Sequence, residues 1–269
     1  FTDFSAALEG LDGSDIPDPA RGAQMLYTSG TTGRPKGVYR RQMPTARSAA
    51  QALSAGSAGD VNLCTGPAYH AAPLAFNVTS PLNSGASIVL MDKWDALETL
   101  RLVEKYRVTH THMVATMFHR LLQLPEEDRQ RYDLSSLQFV IHGAAPCPVH
   151  VKRAMIDWFG PIITEYYAAT EGGNNFVIDS PTWLQKPGSV GKTPSPENTK
   201  IVDDDDNEVP QGDTGYIYFR APEVGRFEYF KAPEKTAESY RGDWFTLGDM
   251  GYYDEDGFLF LNGRSAETI

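Results

Sequence analysis

The sequence predicts an α/β fold, in which a mostly parallel, helix-covered sheet precedes a smaller β-rich subdomain. Up to about residue 180, short apolar runs alternate with longer amphipathic runs, as expected for parallel strands joined by helices. Beyond that residue, Pro and Gly separate short runs rich in β-branched and aromatic residues, which favour strands. The apolar fraction of 41% in 269 residues is sufficient for a packed core.

The predicted elements follow this pattern in chain order. Residues 1–20 have two prolines and several acidic side chains around few apolar positions, so we interpret them as a segment leading into a domain. Strands are predicted at residues 25–27, 61–64, 87–91, 109–113, 138–142 and 162–167. Helices are predicted at residues 43–55, 74–83, 94–106, 116–124 and 148–159. Further strands are predicted at residues 200–202, 215–220, 250–253 and 258–262, with a tight turn at 254–257.

Charge and cysteine content limit the partners and the location. The net charge of -11 argues against binding to nucleic acid or to an anionic membrane, because both need clustered Lys and Arg. Cys64 and Cys147 lie far apart, without metal-ligand or redox spacing, which suits a reducing compartment. No apolar run is long enough to cross a bilayer. We therefore expect a cytoplasmic protein without a transmembrane segment.

The stretch YTSGTTGRPKGV at residues 27–38 combines three glycines with hydroxyl side chains and Lys36. Glycines let backbone N–H groups approach an anion, while the hydroxyl and ammonium groups add donors and charge. The spacing differs from that of P-loop NTPases, because Gly30 is followed by Lys36 and then by Gly37. We interpret the stretch as a phosphate-binding loop; a surface loop without a ligand is the alternative.

Other polar, glycine-punctuated stretches follow predicted strands, which is where α/β sheets bind ligands. They lie at residues 69–70, 143–146, 168–173, 244–249 and 263–264. His110 and His112 alternate along one predicted strand, but no third ligand follows with regular spacing, so we interpret them as core or surface histidines rather than a zinc site.

Three of these stretches, YTSGTTGRPKGV, YYAATE and FTLGDMGYYDEDGFLFLNGR, resemble in order and spacing the motifs of the AMP-forming acyl/aryl-CoA synthetase superfamily. These adenylate-forming enzymes include fatty acid-CoA ligases, luciferases and adenylation domains of peptide synthetases. The match runs from about Arg21 to Ile269. The resemblance implies a partial large domain, with more of it before residue 1 and a small mobile C-terminal domain missing after residue 269.

The resemblance also implies the reaction and its cofactors. A carboxylic acid, expected to be a fatty acid or another acid without an amino group, attacks the α-phosphorus of Mg-ATP to give acyl-AMP and pyrophosphate. Coenzyme A then displaces AMP. The expected cofactors are ATP/AMP, Mg²⁺ and coenzyme A. Residues 21–185 would form the nucleotide- and acyl-binding core, and residues 186–269 would form a β-rich subdomain ending at the hinge.

Roles for the phosphate end of the site follow from the same resemblance. Thr170 would contact the phosphates, and Glu171 would ligate Mg²⁺. Donors and a cation placed beforehand stabilise the negative charge of a phosphorus transition state. The residues that would hold the β- and γ-phosphates are Thr28, Ser29, Gly30, Thr31, Thr32, Gly33 and Lys36. The candidate catalytic residues are Lys36, Thr170, Glu171, His70 and Arg264.

At the other end of the site, Tyr167 would stack on adenine and Asp249 would accept hydrogen bonds from both ribose hydroxyls. Arg264 would approach the ribose and phosphate, and His70 would lie beside the substrate carboxylate. The floor between adenine and the acyl group would be formed by Gly143, Ala144 and Ala145.

Two positions depart from the family pattern. Ala168 stands where the family usually has Gly, and its methyl group would narrow the acyl pocket. Ala266, followed by Glu267, stands where a charged hinge residue is common. The Asp that holds an amino group in peptide synthetases is absent near His70, which disfavours an amino acid substrate.

Alternatives to a CoA ligase stay open. One is a fatty acyl-AMP ligase that loads the thiol of a carrier protein. Another is a non-catalytic nucleotide-binding relative, which the presence of Lys36, Glu171 and Asp249 disfavours. A plain ATPase is disfavoured by the absent P-loop spacing. Without the small domain, the chain itself is expected to bind ATP but turn over poorly.

Overall fold

A computed structural model of the chain describes residues 5–6, 9–10, 13–14, 24–28, 35–41 and 49–264. The strands are β1 (Leu26–Thr28), β2 (Lys36–Tyr39), β3 (Val61–Cys64), β4 (Ser87–Leu90), β5 (His110–Met113), β6 (Phe139–His142), β7 (Ile163–Ala169), β8 (Gly172–Asp179), β9 (Ser189–Gly191), β10 (Thr199–Val202), β11 (Gly215–Arg220), β12 (Glu228–Tyr229), β13 (Tyr240–Arg241), β14 (Trp244–Tyr253) and β15 (Leu259–Arg264). The α-helices are α1 (Ala49–Ser54), α2 (Ala71–Pro73), α3 (Ser80–Asn83), α4 (Ala96–Tyr106), α5 (Ala115–Leu122), α6 (Glu126–Arg131), α7 (Val149–Phe159), α8 (Ser180–Gln185) and α9 (Pro233–Ser239). A π-helical stretch, Leu74–Thr79, joins α2 to α3, and Pro196–Asn198 forms a 3₁₀ turn.

The first six-stranded sheet has the order β4-β3-β5-β6-β7-β8. Its first five strands are parallel, and β8 is antiparallel to β7. Side chains alternate across the sheet, so Val140 packs in a cluster with α5 and α7, whereas Ile141 packs with Phe76 and Tyr166 on the opposite face. Both faces of this mostly parallel sheet are therefore covered, which confirms the α/β prediction.

The second six-stranded sheet is antiparallel, with the order β10-β11-β14-β15-β9 and with β13 paired to β14. Its core includes Phe219 and Phe245. Phe176 of β8 belongs to this core, whereas Ile178 of the same strand belongs to the helix-covered cluster of the first sheet. Strand β8 thus connects the two hydrophobic cores. The predicted domain boundaries at residues 20 and 185 stay predictions.

The structure differs from the sequence prediction in the order of the first elements. Strand β1 lies outside the parallel sheet and pairs antiparallel with β2, with Thr28 opposite Lys36. The strand β1 is therefore followed in the chain by a second strand, β2, and not directly by a helix. Strand β2 also pairs with β12, which gives a small sheet of order β1-β2-β12. Of the helix predicted at 43–55, α1 is described, and residues 42–48 lie outside the described residues.

Two histidines are buried on opposite faces of the first sheet. His112 stacks on the ring of Phe76, with ring centroids 5.4 Å apart, and its Nε2 lies 3.2 Å from the hydroxyl of Tyr166. His142 packs on Phe118, with centroids 5.1 Å apart. In the described ranges, no group of three or more His, Cys, Asp or Glu is placed to hold a metal ion. Both histidines of the THTH stretch, His110 and His112, are buried and therefore belong to the core.

Burial keeps both imidazoles neutral. It lowers the pKa of His112 to about 3, with a smaller effect from His70, and it lowers the pKa of His142 well below 6.5, assisted by the positive charge of Lys152. Neither ring nitrogen of His142 has a hydrogen-bond partner among the described residues. Charging either ring in place would therefore be unfavourable.

We expect the free energy of unfolding to fall as the pH is lowered from 7 to 5.5. In the unfolded chain these histidines gain protons near pH 6.5, so stability that is present above this value is lost below it. Each histidine should contribute a loss of roughly 1 kcal/mol over this interval. Urea denaturation at both pH values measures it. His142→Leu should remove roughly 1 kcal/mol of the loss, and an unchanged pH dependence in that variant would contradict the assignment.

Among the described residues, no helix is both long and apolar enough to span a bilayer.

Candidate active site

The floor of the candidate site begins where β6 ends. His142 of β6 is in register with Glu165 of β7, so the loop after β6 lies beside Tyr166. A Cβ atom at Gly143 would lie 2.5 Å from the carbonyl oxygen of Tyr166 and 2.6 Å from its ring. Only glycine fits that position. The next residue, Ala144, has a φ of 67°, in the left-handed region that non-glycine residues rarely adopt. The predicted floor is thus a closely packed turn with backbone strain.

We expect Gly143→Ala to destabilise the fold by about 1–3 kcal/mol, because the added methyl group overlaps both backbone and ring atoms of Tyr166. Chemical denaturation measures the loss. In the opposite sense, Ala144→Gly should stabilise by about 1 kcal/mol, because glycine adopts a positive φ without strain. If Gly143→Ala matched the wild type, Tyr166 would have to be free to move aside.

A hydrogen-bonded group joins the two sheets at Asp249. The hydroxyl of Tyr167 donates to Oδ2 of Asp249 over 2.8 Å, and Nε of Arg264 donates to Oδ1 over 2.8 Å. Asp249 and Arg264 are paired residues of β14 and β15. Burial and the Asp249 carboxylate raise the pKa of Tyr167 well above its usual value, so Tyr167 remains a donor. Tyr167, predicted to stack on adenine, and Arg264, predicted to approach the ribose and phosphate, therefore both bind the carboxylate of Asp249, which is predicted to bind the ribose.

A second group forms around Glu171, in the turn between β7 and β8. The hydroxyl of Tyr229 donates to Oε1 of Glu171 over 3.0 Å, and Nζ of Lys36 lies 4.9 Å from the centre of the Tyr229 ring. The guanidinium of Arg40 donates to the carbonyl oxygens of Thr170, over 3.3 Å, and of Glu171. The small sheet thus holds the turn that carries Glu171.

Glu171 has the features of a magnesium ligand. Mg²⁺ in nucleotide sites is commonly held by one or two carboxylates together with substrate phosphates and waters. Oε2 of Glu171 makes no hydrogen bond to a residue within the described ranges, while Oε1 is held by Tyr229. A cavity of about 690 Å³ opens beside Glu171 and Arg40. The carboxylate can therefore be reached by a hydrated cation.

His70 lies at a different edge. It is exposed and begins α2, where its Nδ1 accepts a hydrogen bond of 3.4 Å from the backbone N–H of Ala72. The structure gives His70 no contact with Tyr167, Asp249 or Glu171.

Some predicted residues lie outside the described part of the chain, and two residues that contact the site were not predicted. Of the phosphate loop, Thr28 and Lys36 are described, whereas Ser29, Gly30, Thr31, Thr32 and Gly33 lie outside the described residues, as do Ala266 and Glu267. Arg40 and Tyr229 were not predicted. Tyr229 has no motif of its own, and its contact with Glu171 depends on the pairing of β12 with β2, which the sequence does not reveal. Arg40 follows the phosphate loop closely, and this proximity was the available signal.

Behind β7 lies a buried ion pair. Nζ of Lys152 in α7 is 2.5 Å from Oε2 of Glu165, and Nε2 of His142 is 3.6 Å from the same oxygen. Lys152 also lies 4.8 Å from the centre of the Trp183 ring. Burial lowers the pKa of Lys152 and raises that of Glu165, while their mutual attraction opposes both shifts. The pair fixes α7 to the strand that leads to Tyr167.

Comparison with known proteins agrees with this geometry. A family model described as "AMP-binding enzyme" matches residues 4–227. An indoleacetate–CoA ligase from Aromatoleum aromaticum is 34% identical over 99% of this chain and 53% of its own length. A long-chain-fatty-acid–CoA ligase from Bacillus subtilis is 31% identical over 92% of this chain and 44% of its own length. The chain thus spans about half the length of these curated relatives.

A solved structure supports the same assignment. The inhibitor-bound N-terminal domain of FACL13 from Mycobacterium tuberculosis superposes with a TM-score of 0.72 at 27% identity, over 93% of this chain and 63% of that one. Family model, relatives and fold agree with the motifs around Lys36, Glu171 and Asp249. The chain therefore belongs to the AMP-binding enzyme family, within the adenylate-forming acyl/aryl-CoA synthetase superfamily.

Proposed function

We propose that the protein activates a carboxylic acid with ATP, forming acyl-AMP and pyrophosphate, and then transfers the acyl group to coenzyme A. The observation that supports this most is the contact of Tyr167 and Arg264 with the Asp249 carboxylate. Tyr167 comes from the first sheet and the other two residues come from the second sheet, and together they have the chemistry to bind a nucleoside. The names of the relatives, which are acid–CoA ligases, agree with the proposal.

Nucleotide binding would use existing contacts. A carboxylate has about four acceptor sites, so Asp249 can accept from both ribose hydroxyls while keeping Tyr167 and Arg264. The hydrogen bond to Asp249 also fixes the ring of Tyr167, which would offer one face to adenine. Arg264 would approach the ribose and the α-phosphate side. Gly143, Ala144 and Ala145 would form the floor that separates adenine from the acyl group.

Phosphate binding would use the small sheet. Thr28, at the end of β1, lies opposite Lys36, at the start of β2. Both would contact the β- and γ-phosphates, together with Ser29, Gly30, Thr31, Thr32 and Gly33. Thr170 would add a hydroxyl donor, and Glu171 would hold Mg²⁺. When bound, the cation would neutralise phosphate charge as the carboxylate oxygen of the acid attacks and pyrophosphate leaves. His70 would lie beside that carboxylate.

The proposal extends to the chemical class of the acid. We expect a fatty acid, with an aryl acid as the alternative, because one relative is named for each class. A cytoplasmic location belongs to the same proposal and is supported by the free thiols of Cys64 and Cys147.

ATP–pyrophosphate exchange with the complete protein tests the proposal. The acids should include fatty acids of graded length, aryl acids and, as a control, amino acids. Exchange that depends on a fatty or aryl acid is expected, and its absence with every acid would refute the proposal. Adding coenzyme A or a phosphopantetheinylated carrier protein then identifies the acceptor, and thioester formation on the carrier alone would refute the coenzyme A step.

A further inference from the structure

We propose that Tyr229 is a positioning residue that keeps Lys36 and Glu171 apart and orients the Glu171 carboxylate for a divalent cation. The inference rests on the proposed function, because it concerns the same phosphate and metal site. Tyr229 contacts both groups at once. Its hydroxyl donates to Oε1 of Glu171 over 3.0 Å, and its ring lies 4.9 Å from Nζ of Lys36.

Tyr229 is itself held rigidly. It pairs with Val38 in the small sheet, and its backbone N–H donates to Oγ1 of Thr236 over 2.9 Å. Its ring packs edge-to-face against Phe227, with centroids 5.3 Å apart, and only 7% of the residue is exposed. A tyrosine fixed by strand pairing, a backbone hydrogen bond and ring packing can hold a carboxylate in one orientation.

The turn and the carboxylate are held by different residues. Arg40 binds the backbone carbonyl oxygens of Thr170 and Glu171 and so fixes the turn. Tyr229 binds the side chain, and it occupies only Oε1. Oε2 is left without a hydrogen bond to any residue within the described ranges. A donor that binds one oxygen of a ligating carboxylate sets the direction in which the other oxygen points.

The position of Tyr229 also separates two opposite charges. Among the described ion pairs, none joins Lys36 to Glu171, although both contact the same tyrosine. An ammonium and a carboxylate that paired directly would each have to be released before binding a phosphate and a cation. The aromatic ring attracts the ammonium by a cation–π contact, and the hydroxyl satisfies the carboxylate, so both charges remain available.

Two substitutions separate the two contacts. Tyr229→Phe keeps the ring near Lys36 and removes the hydroxyl that binds Glu171, whereas Tyr229→Leu removes both. A matched control is Tyr240→Phe, because the hydroxyl of Tyr240 donates to the carbonyl oxygen of Phe227 over 2.9 Å in the same aromatic cluster and does not touch Glu171. The thermal unfolding midpoints of Tyr229→Phe and Tyr240→Phe show whether the two variants are equally stable.

The readout is binding rather than turnover. Electron paramagnetic resonance of free Mn²⁺, with ATP kept below the concentration of the complete protein and with Mn²⁺ and ATP alone as the reference, gives the dissociation constant of Mn²⁺ from the protein–ATP complex, and calorimetry gives ATP binding without metal. We expect Tyr229→Phe to raise the Mn²⁺ dissociation constant about tenfold and to leave metal-free ATP binding unchanged. Tyr229→Leu should weaken both, and Tyr240→Phe neither.

The outcomes separate this inference from the proposed function. If Tyr229→Phe binds Mn²⁺ as tightly as Tyr240→Phe, the positioning role is overturned, whatever the exchange assay gives. If the wild type binds Mn²⁺ and ATP but shows no acid-dependent exchange, the proposed function fails while the comparison still decides the role of Tyr229. A wild type that does not bind Mn²⁺ with ATP overturns both.

Discussion

Asp249→Ala is expected to raise the KM for ATP in the exchange reaction about a hundredfold or more. The substitution removes the acceptor for both ribose hydroxyls, and each charge-assisted hydrogen bond contributes about 1.5–3 kcal/mol. It also removes the carboxylate to which Tyr167 and Arg264 donate hydrogen bonds. Nucleotide affinity measured by calorimetry should fall in parallel with the rise in KM.

Asp213→Ala is the control for this experiment, because Asp213 is exposed in the turn that precedes strand β11 of the same antiparallel sheet. It should leave the KM for ATP near the wild-type value. An Asp249→Ala enzyme with a KM within threefold of the wild type would mean that the ribose is bound elsewhere. Asp249→Asn should give an intermediate loss, since one neutral acceptor oxygen remains.

Lys152→Met is expected to destabilise the fold by about 3–5 kcal/mol at neutral pH. The variant leaves the Glu165 carboxylate buried without its partner, with only His142 at 3.6 Å, and burial disfavours the charge of both groups. The protein must then either hold an uncompensated charge or take up a proton on folding. Urea denaturation at pH 7 measures the loss.

The double variant Lys152→Met with Glu165→Leu should recover most of this stability, because two apolar side chains of similar volume replace the pair. Lys186→Met is the surface control, since Lys186 pairs with Asp254 and Asp256 at a partly exposed hairpin. Lys186→Met should lower the free energy of unfolding much less than Lys152→Met does. Equal losses for Lys152→Met and Lys186→Met would show that the buried pair has no special energetic role.

The site could be predicted from sequence where its chemistry lies within short stretches. Asp249 and Arg264 stand in one hairpin-forming run, and Tyr167 precedes Thr170 and Glu171 by a few residues, so the resemblance of these short stretches to family motifs was enough to select them as candidates. The alternation of apolar and amphipathic runs likewise predicted the parallel sheet, because its inner strands, such as β5 and β6, are buried on both faces and its longer connecting helices, such as α4 and α5, bury one apolar face.

The remaining features depend on pairings between distant segments. Strand β8 begins with two glycines and two asparagines, which mask its strand pattern, and it is identified by its antiparallel register with β7. Lys152 occupies a buried position of α7, and nothing near it in the sequence indicates that Glu165 of β7 will neutralise it. The contact of Tyr229 with Glu171 has the same origin. Such contacts cannot be read from residue type and spacing, because they depend on how distant helices and strands pack together in the fold.

The small sheet β1-β2-β12 has a consequence for the order of folding. Strands β1 and β2 are neighbours in the chain and can pair as soon as both exist, but β12 (Glu228–Tyr229) lies far downstream of β2 in the sequence. Closing so long a loop is entropically slow, so this third strand should dock late. During synthesis, the segment that carries Lys36 would therefore lack its pairing with β12 until β12 has left the ribosome. Nucleotide affinity should not develop in the nascent chain before that point.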